Sequence, residues 1–128
     1  MQTRQEVYAE IKKTLGLVPQ WLEQMPDGGL QGFWGSARDF WLKETKIPNK
    51  YKELIGVAVS GATRCRYCAL FHTEAARLFG ATDDEVAEAS YMGALTMMGS
   101  TFINGQQIDY EKFRQETRDI VSYLKKQK

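Results

Sequence analysis

The chain has 128 residues, and its 17 Lys and Arg against 16 Asp and Glu leave a formal net charge of +1 at pH 7. Without a strong field of either sign, nucleic acid and anionic membranes are not expected as partners. No apolar run approaches the roughly 18 residues that cross a bilayer, and no secretory signal opens the chain, so we expect a cytoplasmic protein. Residues 1–128 are long enough for one domain with a single core.

The first predicted helix begins at a capping box formed by Thr3 and Glu6 and ends at Gly16, where a left-handed cap belongs. Between these ends, apolar residues recur at intervals of four: Val7, Ile11 and Leu15. This spacing predicts one amphipathic helix. Pro19 then predicts a short helical turn, which "PDGG" ends because Pro, Asp and Gly favour turns.

Two further helices are predicted in the first half of the chain. One runs from about Leu30 to Thr45, and an aromatic stripe recurs along it at helical spacing: Phe33, Trp34, Ala37, Phe40 and Trp41. The stripe is typical of a core or a subunit contact. The other lies in "IPNKYKELIGVAVSGAT", with Pro48 in its first turn and Ser60 and Gly61 able to loosen or end it.

A helix is next predicted over residues 65–79, closed by Gly80, because Ala and Leu are frequent there and no β-branched run opposes it. A second capping box, Thr82 and Glu85, then opens a long apolar helix toward Phe102.

Gly93 and Gly99 inside the long helix indicate close contact with another helix. The last helix is predicted over residues 110–125, and its apolar face consists of Phe113, Thr117, Ile120, Val121 and Leu124. No alternating strand, repeat or linker interrupts the pattern. The fold class is therefore predicted as all-α, a compact single-domain bundle of six or seven helices.

Both cysteines and the single histidine of the chain lie within eight positions: Cys65, Cys68 and His72. At about 100° per residue, all three share one helix face. In a reducing cytosol such a pair favours catalysis or metal binding over a structural disulfide. A helix N-terminus flanked by Arg64 and Arg66 favours the thiolate, which is the reactive form. His72, one turn beyond Cys68, could exchange a proton with that thiol.

The same cluster also fits zinc, whose usual ligands are thiolate and imidazole, although a carboxylate or a second subunit would have to supply the fourth ligand. Glu53 stands twelve positions before Cys65 and is followed by an apolar run over residues 54–59. It is either a solvated side chain beside Lys50 and Lys52 or a buried carboxylate with a partner.

The order Glu53, Cys65, Cys68, His72 forms a continuous pattern: a glutamate, eleven intervening residues, then Cys-x-x-Cys-x-x-x-His. This pattern resembles the signature of the alkylhydroperoxidase D-like (AhpD-like) group within the carboxymuconolactone decarboxylase family. The segment "GATDDEVAEA" also looks like the family's continuation, so the resemblance covers a motif-bearing core of about residues 48–102. The true decarboxylase branch is a poor match, because it is not built on this cysteine pair.

The resemblance implies a thiol-dependent peroxidase of the peroxiredoxin type that reduces hydroperoxides without a bound cofactor or metal. Carried over by position, Cys68 attacks the peroxide, Cys65 resolves it as a redox-active disulfide, and His72 and Glu53 relay protons. Tyr67 stands where the best-understood branch has a second histidine, and its phenol can donate a hydrogen bond but is a poor base. The helix dipole favours Cys65 as the leading thiol, whereas the adjacent base and the family pattern favour Cys68.

The resemblance also implies an external dithiol reductant, such as a lipoyl-bearing donor protein, and assembly as a trimer or a hexamer. The aromatic stripe, together with Met92, Met97 and Met98, offers more apolar surface than one small helical layer covers, which supports a homo-oligomer. Two other functions stay open. They are a general disulfide oxidoreductase acting on protein or small thiols, and a non-enzymatic helical module with a zinc site.

Overall fold

The computed structural model describes residues 1–128, which form seven α-helices and no strand. The helices are α1 Arg4–Leu15, α2 Gln20–Glu23, α3 Asp27–Ser36, α4 Asn49–Thr63, α5 Arg66–Leu78, α6 Asp83–Gly105 and α7 Tyr110–Lys126, with a π-helical turn at Ala37–Trp41 continuing α3. The predicted all-α, single-domain fold is confirmed. None of these helices combines the length and apolar character that a bilayer crossing requires.

Helix α1 confirms its predicted ends. The Glu6 carboxylate accepts the backbone N–H of Thr3 at 2.8 Å, the Thr3 hydroxyl accepts that of Glu6, and Gly16 closes the helix with φ of 87°. One face of α1 packs against α2, α3 and the π-helical turn in an N-terminal core. The buried residues of this core are Val7, Ile11, Leu22, Leu30, Trp34 and Ala37. Full burial of a side chain such as Leu or Ile stabilises a fold by about 1.5–3 kcal/mol, so this core anchors the first three helices to one another.

Helix α3 differs from the predicted segment Leu30–Thr45 at both ends. It begins at Asp27, directly after Pro26, whose extended backbone (φ −64°, ψ 154°) forms the N-cap. The segment "PDGG" therefore opens a helix where a turn was expected. Proline needs no N–H partner there, and a carboxylate in the first turn suits the positive end of the helix dipole. Regular α-helix stops at Ser36, and the wider π-helical turn ends at Trp41.

Helices α4 and α5 form an antiparallel hairpin, and α4 also packs against α6. Helix α4 continues through Ser60 and Gly61, so the predicted loosening there is wrong. The Ser60 hydroxyl donates to the carbonyl of Gly56 within the same helix, which keeps the polar group satisfied without ending the helix. Arg64, with a left-handed backbone at φ of 59°, then reverses the chain into α5.

The ends of α5 and the start of α6 confirm the predicted signals. Cys65 is the N-cap of α5, and Gly80 follows its last turn with φ of 93°. Thr82 and Glu85 form the second capping box. Lys50 on α4 pairs with Glu85 at 2.9 Å and holds the pKa of that carboxyl below its usual range.

One of the two glycines singled out in α6 lies at a close helix contact. A Cβ at Gly93 would lie 3.0 Å from the carbonyl oxygen of Ala58, so α4 and α6 approach closely there. A Cβ at Gly99 would meet nothing within 4 Å, so the predicted contact at Gly99 is wrong.

Helix α7 is amphipathic, and all of its residues are exposed. Its predicted apolar face is open, and so is much of α6, including Met92, Met98 and Phe102. Only 13 of 128 residues are buried in the single chain. A large apolar surface is therefore available to a partner.

Candidate functional site

Cys65 and Cys68 lie at the start of α5 and are joined by a disulfide. Their sulfur atoms are 2.14 Å apart and their Cα atoms 5.3 Å apart. The Cys65 sulfur also accepts the backbone N–H of Cys68 at 3.1 Å, in the position of an N-cap side chain. Cys65 is half-buried and Cys68 is exposed, so Cys68 is the more accessible cysteine.

Glu53 is a buried carboxylate, 1% exposed, between α4 and α5. Its Oε2 lies 2.6 Å from Nδ1 of His72 on α5, and its Oε1 accepts the indole N–H of Trp41 at 2.6 Å. Both oxygens thus have a partner, as a buried carboxylate requires. The sequence left two interpretations of Glu53 open, a solvated side chain or a buried carboxylate with a partner. In the structure Glu53 is the buried carboxylate.

The pairing with Glu53 determines what the imidazole of His72 can do. An ionised carboxylate only accepts hydrogen bonds, so Nδ1 is the donor and, in the neutral ring, Nε2 carries the free lone pair. The His72 side chain is 21% exposed, so part of the imidazole is open to solvent. The imidazole forms no hydrogen bond with either sulfur of the disulfide. A proton moving between His72 and Cys68 would therefore pass through a water or substrate group.

Gly56 provides the space that the imidazole occupies. A Cβ at this position would lie 2.5 Å from both Cγ and Nδ1 of His72, far inside a normal contact. Gly56 follows Glu53 by three residues on α4, so one helix face supplies both the carboxylate and the gap. The role of Gly56 was not predicted from the sequence. A glycine in the interior of a helix, one turn from a glutamate in an apolar run, was the available signal.

Replacing Gly56 with Ala is expected to push the imidazole away from Glu53 and to destabilise the fold by roughly 1–3 kcal/mol, as overpacking does. Helix propensity alone would predict the opposite sign, about 1 kcal/mol in favour of Ala. Gly61→Ala, on the same helix where a Cβ meets nothing within 4 Å, is the matched control and should not destabilise. Urea unfolding of both variants measures the difference. Equal stability of the two would show that Gly56 has no such packing role.

Aromatic side chains surround the Glu53–His72 pair. The Trp41 ring lies 5.5 Å from that of His72 and 5.4 Å from that of Phe71, measured between centroids, and the Phe33 ring is 6.2 Å from Trp41. Trp41 was expected only as part of the aromatic stripe, although an indole N–H that is shielded from water needs an acceptor. Trp41 and Phe71 also line an apolar cavity of about 190 Å³.

The remaining predicted residues flank the cysteines in the sequence and form no hydrogen bond with the Glu53–His72 pair. Arg64 and Arg66 are exposed on either side of Cys65. Tyr67 is 80% exposed, its ring is 6.0 Å from the Arg66 guanidinium, and it has no hydrogen bond to His72 or Glu53. No three His, Cys, Asp or Glu side chains are grouped so that they could hold a metal ion.

An all-helical fold with a Cys-x-x-Cys disulfide at the start of one helix, and a Glu–His pair joining that helix to the one before it, defines an alkylhydroperoxidase D-like protein. Residues 30–102 match the carboxymuconolactone decarboxylase family, and the chain belongs to that family. The match includes all four residues of the predicted motif.

Solved structures show the same architecture. The alkylhydroperoxidase AhpD core from Rhodospirillum rubrum is 29% identical, with a TM-score of 0.73 over 85% of this chain and 84% of that chain. A protein from Methanobacterium thermoautotrophicum is 34% identical, with a TM-score of 0.59 over 69% of this chain and 97% of that chain.

A curated relative comes from Paracoccus denitrificans, where it is described as uncharacterized protein 4 in the cox locus. It is 31% identical over 61 residues, which cover 48% of this chain and 55% of that protein. The match thus spans about half the length of that relative.

Proposed function

We propose that this protein is a thiol-dependent peroxidase that reduces organic hydroperoxides at Cys65 and Cys68. One observation carries the proposal: the disulfide at the start of α5 lies one helical turn from His72, which is paired with the buried Glu53. A reactive thiol and a proton carrier are the two groups that peroxide reduction needs. The similarity to the alkylhydroperoxidase AhpD core of Rhodospirillum rubrum supports the same chemistry.

The reaction begins from the reduced cysteine pair. Nε2 of His72 takes the thiol proton of Cys68 through a water or the substrate itself, and the Cys68 thiolate attacks the terminal oxygen of the hydroperoxide. An S–O bond forms, the O–O bond breaks, and the leaving alkoxide receives the proton from His72 and departs as an alcohol. Cys65 then attacks the Cys68 sulfenic acid, so that the disulfide forms and water leaves. Two electrons have passed from the thiols to the peroxide.

The electrons return from an external dithiol, either a small molecule or a lipoyl-bearing donor protein, by thiol–disulfide exchange. No bound cofactor takes part in this cycle. The apolar cavity beside Trp41 and Phe71 favours a peroxide with a carbon substituent over hydrogen peroxide, because such a group gains from leaving water.

A screen of hydroperoxides against dithiols tests the proposal. Cumene hydroperoxide, tert-butyl hydroperoxide and hydrogen peroxide would each be combined with dihydrolipoamide or dithiothreitol, and peroxide loss followed with time. We expect peroxide to remove two titratable thiols per chain, the dithiol to restore them, and the organic peroxides to react faster. Disulfide exchange without peroxide loss would instead identify a general disulfide oxidoreductase. Stoichiometric bound zinc with thiols that resist peroxide would identify a metal-binding module.

We also propose that the protein assembles as a homo-oligomer, a trimer or a hexamer. The support is the open apolar face of α7, which has nothing to cover it within the chain. Sedimentation velocity at micromolar concentration should show the assembly, and Ile120→Asp on that face should weaken it, while Thr117→Ser should not. A stable wild-type monomer would contradict the proposal.

A further inference from the structure

Trp41 reaches the site from outside the hairpin that carries the other residues. It is the last residue of the π-helical turn after α3, whereas Glu53 lies on α4 and His72 on α5. The indole N–H donates to Oε1 of Glu53 at 2.6 Å, and Oε2 pairs with His72 at 2.6 Å. The buried carboxylate is thus held between an indole and an imidazole.

Helix α4, which contains Glu53, also fixes the position of the π-helical turn that ends at Trp41. Lys52 is 9% exposed, and its ammonium donates to the carbonyl oxygens of Phe40 at 2.6 Å and Lys43 at 2.8 Å. The Lys52 nitrogen also lies 4.4 Å from the centre of the Phe40 ring. These bonds satisfy carbonyls at the end of the turn, where a helix has no N–H donors left to offer. Lys52 therefore fixes the backbone on either side of Trp41.

From this arrangement we infer that Trp41 is a positioning residue, which sets the tautomer of His72 by acting through Glu53. The inference rests on the proposed proton relay. An indole N–H can only donate, so it stabilises an unprotonated Oε1 and orients the carboxylate plane toward the imidazole. The ionised carboxylate then requires the proton of the neutral ring to be on Nδ1. Nε2 is left as the base that faces away from Glu53.

Trp41→Phe removes the N–H and keeps an aromatic ring. Oε1 of Glu53 then has no donor in a buried site, so the carboxylate is no longer held in the plane that faces the imidazole. Without that fixed acceptor, Nδ1 of the neutral ring is no longer required to carry the proton, which moves to Nε2 and removes the base. The variant should therefore contain His72 in the Nε2–H form.

Nitrogen NMR of the full chain can observe this change directly. His72 is the single histidine, so the two ring ¹⁵N signals need no assignment among residues. At a pH where the ring is neutral, the reduced wild type should show Nδ1–H and an unprotonated Nε2, and Trp41→Phe should show a substantial Nε2–H population. Trp34→Phe is the matched control, because it also removes an indole N–H that donates to a carboxylate, that of Glu10 at 2.9 Å, but in the N-terminal core. Trp34 is the more deeply buried of the two tryptophans, at 1% exposed. That control should leave the His72 signals unchanged.

The rate of Cys68 oxidation gives a second readout. Trp41→Phe should slow a single turnover roughly 10- to 100-fold, the range expected for one hydrogen bond to a charged group. The same substitution should have little further effect in a Glu53→Gln background, because Trp41 acts through that carboxylate. Trp34→Phe should keep the wild-type rate.

Identical His72 signals in the wild type and Trp41→Phe would overturn the inference. If Trp41→Phe does not fold, Lys52→Met, which keeps the indole but releases its turn, should shift the same signals and would decide the question. A wild type that consumes no hydroperoxide would contradict the proposed function and leave the NMR result to decide the role of Trp41 independently.

Discussion

Replacing Cys68 with Ser is expected to abolish peroxide turnover, because a hydroxyl at this position cannot form the thiolate that attacks the O–O bond. Cys68 is exposed at the first turn of α5, four residues before His72, so it combines access for a peroxide with a nearby proton carrier. Steady-state consumption of cumene hydroperoxide with excess dithiol measures the loss. The rate should fall to that of the dithiol alone.

Cys65→Ser is the matched variant, and it should behave differently. Cys68 should react once and stop as a sulfenic acid, since no second thiol is present to form the disulfide. Intact-protein mass spectrometry after one equivalent of peroxide should show the gain of one oxygen atom, which a sulfenic-acid reagent can trap.

The opposite pattern would reverse the two roles. In that case Cys65→Ser would lose the first oxidation and Cys68→Ser would keep it. The N-cap position of Cys65, whose sulfur accepts the N–H of Cys68 at 3.1 Å, is the physical basis for this alternative, because the helix start stabilises a thiolate there.

The second large effect is expected for the Glu53–His72 pair. His72→Ala removes the group that moves the proton, and Glu53→Gln replaces the acceptor that orients it, so each change should slow Cys68 oxidation by roughly 10²–10⁴-fold. The single-turnover rate measured against pH should also lose the dependence that the imidazole confers. The variants must first be shown to fold, because removing one partner of a buried pair can cost about 3–5 kcal/mol.

Tyr67→Phe is the control for the proton relay. Tyr67 is 80% exposed and removing its hydroxyl takes away a hydrogen-bond donor but no base, so the rate should change far less than in the relay variants. Single-turnover rates unchanged in both His72→Ala and Glu53→Gln would refute the relay, even with a functional disulfide.

The helices were predictable because their signals are local. Capping boxes at Thr3 and Thr82, and glycines after α1 and α5, lie within one turn of the ends they define. The start of α3 was missed because Pro, Asp and Gly serve both as turn residues and as a helix N-terminus, and tertiary packing decides between the two. The contact expected at Gly99 failed because a glycine does not itself show whether a neighbouring helix reaches it.

The site was predictable to the extent that spacing encodes it. Glu53 and His72 lie on the two helices of the α4–α5 hairpin, so the spacing of the motif indicated which side chains lie near each other. The roles of Gly56 and Trp41 were missed because each depends on atoms of another helix. A Cβ at Gly56 would lie 2.5 Å from the His72 ring on α5, and the Trp41 indole lies 2.6 Å from a Glu53 carboxylate oxygen on α4. Lys52 entered the sequence interpretation only as a neighbour of Glu53, and its bonds to the carbonyl oxygens of Phe40 and Lys43 were not predicted.

The α4–α5 hairpin also affects the order in which this protein can fold. The chain between Glu53 and His72 is short, so closing it costs little entropy, and contacts that are local in sequence form early. Trp41 is also close in sequence, but its turn depends on α3 packing into the N-terminal core. The carboxylate and imidazole can therefore meet while the first helices are still unfolded. We expect hydrogen exchange during refolding to protect α4 and α5 before α1 and α3.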